Sequence, residues 1–139
     1  MFLLDTNVVS ELRKGDRANR HVLDWFQKLD SAEVFLSVLV VGELRQGVER
    51  LRRRDPRQAE RLDRWLDRLV RDYADRLLPV DARVAELWGR LNVPDPIAAV
   101  DGLLAATALV NDLTLATRNV KDVARTGARC LNPFEAAQP

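Results

Sequence analysis

Four apolar residues, Met1-Phe2-Leu3-Leu4, run directly into the polar turn Asp5-Thr6-Asn7. A hydrophobic run of that length, closed in that way, reads as a strand buried on both faces of a parallel sheet. It delivers a carboxylate to the sheet's C-terminal edge, where open α/β sheets bind ligands. Two readings of Asp5 stand side by side. It is a group placed for chemistry, or it caps the helix that starts near Val8, because Asp, Thr and Asn all accept hydrogen bonds from free helix N–H groups.

The rest of the chain alternates helical and strand-like segments, the pattern of a mostly parallel sheet covered on both faces. Apolar residues recur at helical spacing in Val22, Trp25, Phe26 and Leu29, in Leu62, Trp65, Leu66, Leu69 and Tyr73, and in Val84, Leu87, Trp88 and Leu91. Such stripes face a core, so the tryptophans are assigned to packing. Leu77-Leu78-Pro79-Val80 reads as another short strand with Asp81 capping the helix after it. Val93-Pro94-Asp95-Pro96 is a loop leading to an apolar helix, and Ala128-Arg129-Cys130-Leu131 is the last strand. The expected fold is a three-layer α/β/α sandwich. At 139 residues, 47% hydrophobic, the chain is expected to form one domain over 1–139.

Three further loci carry oxygen ligands. Glu43 lies in or just after the apolar segment Val34–Gly42, so it is either an exposed helix carboxylate or a second acid at the sheet edge. Asp101 sits within Ile97–Ala106, which is apolar nearly all round. An unpaired carboxylate is costly to bury, so something positive is expected beside Asp101, either an arginine or a metal ion shared with other acids. Asn119 and Asp122 follow the strand-like run Leu113–Ala116. If the strands are parallel, all four loci meet at one edge in a pocket with no His or Cys. Oxygen-only ligands suit Mg²⁺ or Mn²⁺ and exclude a structural zinc site.

The stretches Leu3-Leu4-Asp5-Thr6-Asn7, Ser37 with Gly42-Glu43-Leu44, Asp101-Gly102-Leu103-Leu104-Ala105-Ala106-Thr107-Ala108, Leu115-Ala116-Thr117-Arg118-Asn119-Val120-Lys121-Asp122 and Leu131-Asn132-Pro133-Phe134 together resemble the successive motifs of PIN-domain proteins. The likeness is to VapC-type toxins of bacterial toxin–antitoxin pairs, including the FitB-like branch, and it runs essentially end to end. It implies a metal-dependent endoribonuclease leaving 5′-phosphate and 3′-hydroxyl ends, a VapB-like DNA-binding antitoxin as partner, and a homodimer. Asp5, Glu43, Asp101 and Asp122 are the expected catalytic acids, with Asn119 as a further metal ligand. Many relatives place an acid where Asn119 stands, while others have Asn there and an acid three residues on, as here. Thr6 and Thr117 are expected to hydrogen-bond the carboxylates or coordinated waters, or to act only as turn and cap residues. The alternative function is a catalytically weak or inactive PIN-fold interaction module that binds a DNA-binding antitoxin, an option the neutral Asn119 keeps open.

The net charge of +1 does not by itself mark an RNA-binding surface, but arginines outnumber acids between Arg45 and Arg76. Glu60 with Arg64 and Asp67 with Arg71 have the i,i+4 order of a solvated helix face. Arg50, Arg52, Arg53 and Arg54 read as an unpaired cluster able to touch RNA phosphates or an antitoxin. His21 has no visible partner, and the single Cys130 reads as a small core residue of a reducing compartment. A first strand beginning almost at Met1 leaves no room for a signal peptide, and no apolar stretch is long enough for a bilayer, so a cytoplasmic location without membrane contact is expected. Asp5-Thr6-Asn7 also lacks the Asp-x-Asp pattern of haloacid-dehalogenase-type phosphotransferases. The paired acids of a receiver module are missing too.

Overall fold

A computed structural model describes residues 1–136. The last three residues of the expected domain, 137–139, lie outside the described residues. Five short strands, β1 (Phe2–Leu4), β2 (Val34–Ser37), β3 (Leu77–Leu78), β4 (Thr114–Ala116) and β5 (Cys130–Leu131), form one sheet in the order β3-β2-β1-β4-β5. Every pairing is parallel, with Leu3 opposite Phe35 on one side and Leu115 on the other. The opening apolar run is therefore the central strand. Leu3 and Leu4 are almost wholly buried, as a strand covered on both faces requires.

Seven helices connect the strands: α1 (Thr6–Leu12), α2 (Arg20–Gln27), α3 (Val38–Arg52), α4 (Pro56–Asp72), α5 (Ala82–Leu91), α6 (Ala99–Val110) and α7 (Val120–Val123). The chain moves outward from β1 through β2 to β3, then returns across the sheet to β4 and continues to β5. Right-handed crossovers running in opposite directions put their helices on opposite faces. The packing agrees: α1 contacts α2 and α3, and α3 contacts α4, while α5 contacts α6 and α6 contacts α7. The expected three-layer arrangement is what forms.

The strand order reverses between β1 and β4. That reversal opens a crevice beyond their C-terminal ends, where doubly wound sheets place ligands. Each helix that follows a strand starts at this edge and runs back along the sheet. Asp5 and Ser37 cap the first two of them, with side-chain oxygens accepting from the N–H groups of Thr6 and Leu39. The basic middle of the chain breaks at Asp55, which accepts from the Gln58 N–H and starts α4 ahead of Pro56.

Candidate active site

Asp5 is the first residue past β1, and its N–H donates to the Ala116 carbonyl at 2.9 Å, carrying the β1–β4 ladder one step further. The residue is only 7% exposed. Oδ1 accepts from the Thr6 N–H at 2.7 Å, and Oδ2 accepts from Thr117 Oγ1 at 2.8 Å and Asn7 Nδ2 at 3.4 Å. The capping reading of Asp5 is therefore observed, and the same hydrogen bonds fix its carboxylate at the crevice. Glu43 lies on α3 about one and a half turns in, and its Oε1 accepts from Thr6 Oγ1 at 2.6 Å. The two threonines each donate to a carboxylate, and Thr6 ties Asp5 to Glu43 across the β1–β2 boundary.

Asp101 comes from the opposite layer. It is in the first turn of α6, which begins later than the sequence pattern suggests, at Ala99. That places Asp101 at the sheet edge, half-buried rather than enclosed. Asn92 holds the approach, donating to the Trp88 carbonyl at 2.7 Å and accepting from the Ile97 N–H at 3.0 Å. Next to Asp101, Gly102 lets α5 come close: a Cβ there would stand 3.1 Å from Trp88 Cδ1.

The arginine that a buried Asp101 would call for is not there. Among the described residues Asp101 makes no ion pair and no side-chain hydrogen bond. Arg125, which lines the same groove, donates instead to the carbonyls of Asp95 and Pro96. Burial raises the Asp101 pKa, and the charges of Asp5, Asp122 and Glu43 raise it further. Asp5 is also raised, chiefly by burial and slightly by Glu43, against the opposing pull of the Thr117 and Thr6 donors. These acids feel one another without a neutralising partner.

Asn119 and Asp122 separate. Asn119 caps α7 without a side-chain hydrogen bond, and its N–H donates to Thr117 Oγ1 at 3.0 Å. Asp122 shares a groove with Asp101 and contributes to its raised pKa, whereas Asn119 lies only in the neighbouring groove. Asn7, which the sequence marks only as part of the polar turn, accepts from the Arg118 N–H at 3.2 Å while its amide donates to Asp5. No local pattern announces that link, which joins residues 111 positions apart.

The arginine cluster needs correcting. Arg52 is not unpaired: it meets Asp63 at 2.8 Å, Glu49 at 3.2 Å and Glu60 at 3.5 Å. Arg45 likewise meets Asp63 and Asp67. Glu60 and Asp67 therefore face α3 rather than the i,i+4 arginines of their own helix. Packing of α3 against α4 brings the guanidinium groups closer than helical spacing alone does. Arg50, Arg53 and Arg54 make no ion pairs among the described residues. They lie seven to eleven residues beyond Glu43, at and past the end of α3, so on the order of 10–16 Å along the axis at 1.5 Å per residue.

The donor set decides which cation these residues suit. Carboxylate, amide and hydroxyl oxygens with no sulfur or imidazole fit a hard divalent ion. Among the described residues no three or more acidic, His or Cys side chains are grouped closely enough to hold a metal ion by themselves. An ion here would keep water in part of its shell, as Mg²⁺ commonly does.

The PIN domain family profile matches residues 2–128. Toxin FitB of Neisseria gonorrhoeae is 36% identical over 96% of this chain and 99% of its own length. VapC ribonuclease Y4jK of Sinorhizobium fredii is 32% identical over 99% of this chain and all of its own. The structure of FitAB bound to an IR36 DNA fragment superposes with a TM-score of 0.87 at 31% identity, covering 99% of both chains. The crevice between β1 and β4, its acids and the parallel sheet that positions them occur in a chain that belongs to the PIN-domain family.

Proposed function

We propose that the protein is a metal-dependent endoribonuclease, the toxin of a VapBC-type pair. The observation that carries this reading is the set of acids at the reversal of strand order, which repel one another and, among the described residues, pair with no Arg or Lys. Several carboxylates alone would turn away a phosphodiester. Asp5, Glu43 and Asp101 would hold Mg²⁺ or Mn²⁺, with Asp122 as the charged fourth contributor and Asn119 as a neutral one. Such an ion, when bound, supplies the positive charge that admits the phosphate and makes attacking water more acidic.

The protein's own groups set the rest. Thr117 and the Thr6 N–H occupy defined lone pairs of Asp5, so its carboxylate cannot swing away. Thr6 occupies Glu43 Oε1 and leaves Oε2 to orient the attacking water and take its proton. As water bonds to phosphorus, the P–O3′ bond breaks. The 3′-oxygen takes up a proton, giving 5′-phosphate and 3′-hydroxyl ends. The resemblance to ribonuclease Y4jK supports RNA as the substrate. Undiminished cleavage of total RNA in EDTA, by purified antitoxin-free protein, would overturn the metal mechanism.

The FitB likeness supports a co-expressed DNA-binding antitoxin, and the acids suggest how it inhibits. A guanidinium pairs bidentately with carboxylates and replaces the ion's charge. An antitoxin arginine entering between Asp5 and Asp101 would silence the site, while Arg50, Arg53 and Arg54 offer a second contact. A homodimer would present two antitoxin chains to two-fold DNA. Among the described residues no helix is long and apolar enough to cross a membrane, and the proposed RNA substrate supports a cytoplasmic location. Expressing the chain alone in a bacterial host should arrest growth, and the adjacent antitoxin frame should restore it. Normal growth with soluble protein would instead favour the non-catalytic module.

A further inference from the structure

We infer that Arg118, held on the ring of Phe134, is a substrate-positioning residue that grips an RNA phosphate adjoining the scissile one. The inference rests on the ribonuclease reading above. Arg118 directly follows Thr117, whose hydroxyl donates to Asp5. Its own N–H is accepted by Asn7, which also donates to Asp5. The backbone of Arg118 is therefore linked to the Asp5 carboxylate by two short routes.

The side chain is fixed as well. Its guanidinium carbon lies 3.9 Å from the centre of the Phe134 ring. Phe134 is set in turn by its N–H donating to Asn132 Oδ1 at 3.0 Å. The turn Leu131–Phe134, which the catalytic assignment leaves without a task, is thus a platform for this arginine. Stacking fixes the plane but leaves the N–H edge free. Among the described residues that edge makes no ion pair and no hydrogen bond. Arg125, by contrast, has carbonyl partners, and Arg52 has acids.

A groove runs on from the acids. Arg118 and Lys121 line it with Asn119, Asp122 and Glu135, and Asp122 also lines the groove that holds Asp101. A strand whose phosphate lies at the acids reaches this groove by passing Asp122. A fixed, open guanidinium beside that path matches the two non-bridging oxygens of a phosphate. Holding the fork in advance reduces what binding must order.

The test uses the full chain in Mg²⁺ with a fluorescence-quenched pool of random-sequence single-stranded oligoribonucleotides, read as kcat and KM over a range of NaCl. For Arg118→Gln, KM should rise about tenfold, the loss of a charge-assisted contact, with kcat within about twofold. The slope of log(kcat/KM) against log[NaCl] should become shallower by about 0.7. Arg118→Lys should keep the slope and lose part of the affinity, and Phe134→Leu should do the same by freeing the arginine. Lys121→Gln, which leaves the platform intact, gives an independent change in slope. Arg57→Gln, on the exposed face of α4, should change nothing. An unchanged KM and slope in Arg118→Gln, or a fall in kcat alone, would overturn the inference while leaving the nuclease reading standing. Weakened antitoxin capture with unaltered RNA kinetics would reassign the platform to the protein partner. A wild-type chain that cuts no RNA would overturn both.

Discussion

Two regions of this molecule use the same residue types in opposite ways. Where α3 packs on α4, Glu49, Glu60, Asp63 and Asp67 each face Arg45 or Arg52. The arginines hold Asp63 below its usual range. At the crevice, Asp5 and Asp101 are pushed above theirs, and Arg125, which lines the Asp101 groove, is occupied by carbonyls. The helix pair neutralises its acids internally. The crevice acids have no such internal partner among the described residues, and the proposed function assigns the neutralising charge to a bound ion, consistent with the clustering of perturbed acids at functional sites.

The largest expected effect follows from removing a charge at the crevice. Asp101→Asn should lower RNA cleavage by about 10²–10³-fold, the size typical of losing one preorganised electrostatic group. A loss of tenfold or less, measured as single-turnover cleavage, would move Asp101 out of the site. Thr117→Val deletes the hydroxyl that holds Asp5 and should weaken ion affinity and activity by about 10–100-fold. It should also destabilise the fold by about 1–2 kcal/mol, since a buried carboxylate loses a donor. Asp122→Asn should reduce Mn²⁺ affinity several-fold more than Asn119→Ala, because only Asp122 is felt by Asp101. The reverse ranking would make Asn119 the fourth ligand.

Stability against pH sharpens the contrast. A carboxyl with a raised folded pKa binds its proton more tightly in the folded state. It therefore weakens the metal-free fold as pH climbs from the ordinary carboxylate range through the raised value. Asp101→Asn should melt no differently from wild type in acid and progressively higher than wild type as pH rises toward neutrality. A melting temperature below wild type at neutral pH would mean that Asp101 has a structural partner. The smallest effect belongs to the other region: Arg52→Gln should shift melting by at most about 4 °C and leave cleavage unchanged, as for exposed ion pairs.

What the sequence reveals divides by distance along the chain. The strand ending at Asp5 is readable because an apolar run and its polar closure are contiguous, and Asp101 stands out as an acid in an apolar helix. The pairing of Glu60 and Asp67 is misread because i,i+4 spacing carries no knowledge of a second helix supplying Arg45 and Arg52. The bonds Thr6 to Glu43 and Thr117 to Asp5 span 37 and 112 residues. They depend on which strands become neighbours, as does the stacking of Arg118 on Phe134. The types of residue in the site are local information, whereas the hydrogen bonds that aim them are set by topology.

The central claim is that the crevice acids are completed by a divalent cation. Isothermal titration of Mn²⁺ into metal-free protein tests it most directly. Wild type and Arg52→Gln should bind with equal affinity, while Asp5→Asn and Asp101→Asn should lose most of the binding. A wild-type chain that takes up no Mn²⁺, or an Asp101→Asn variant that binds as well as wild type, would contradict it.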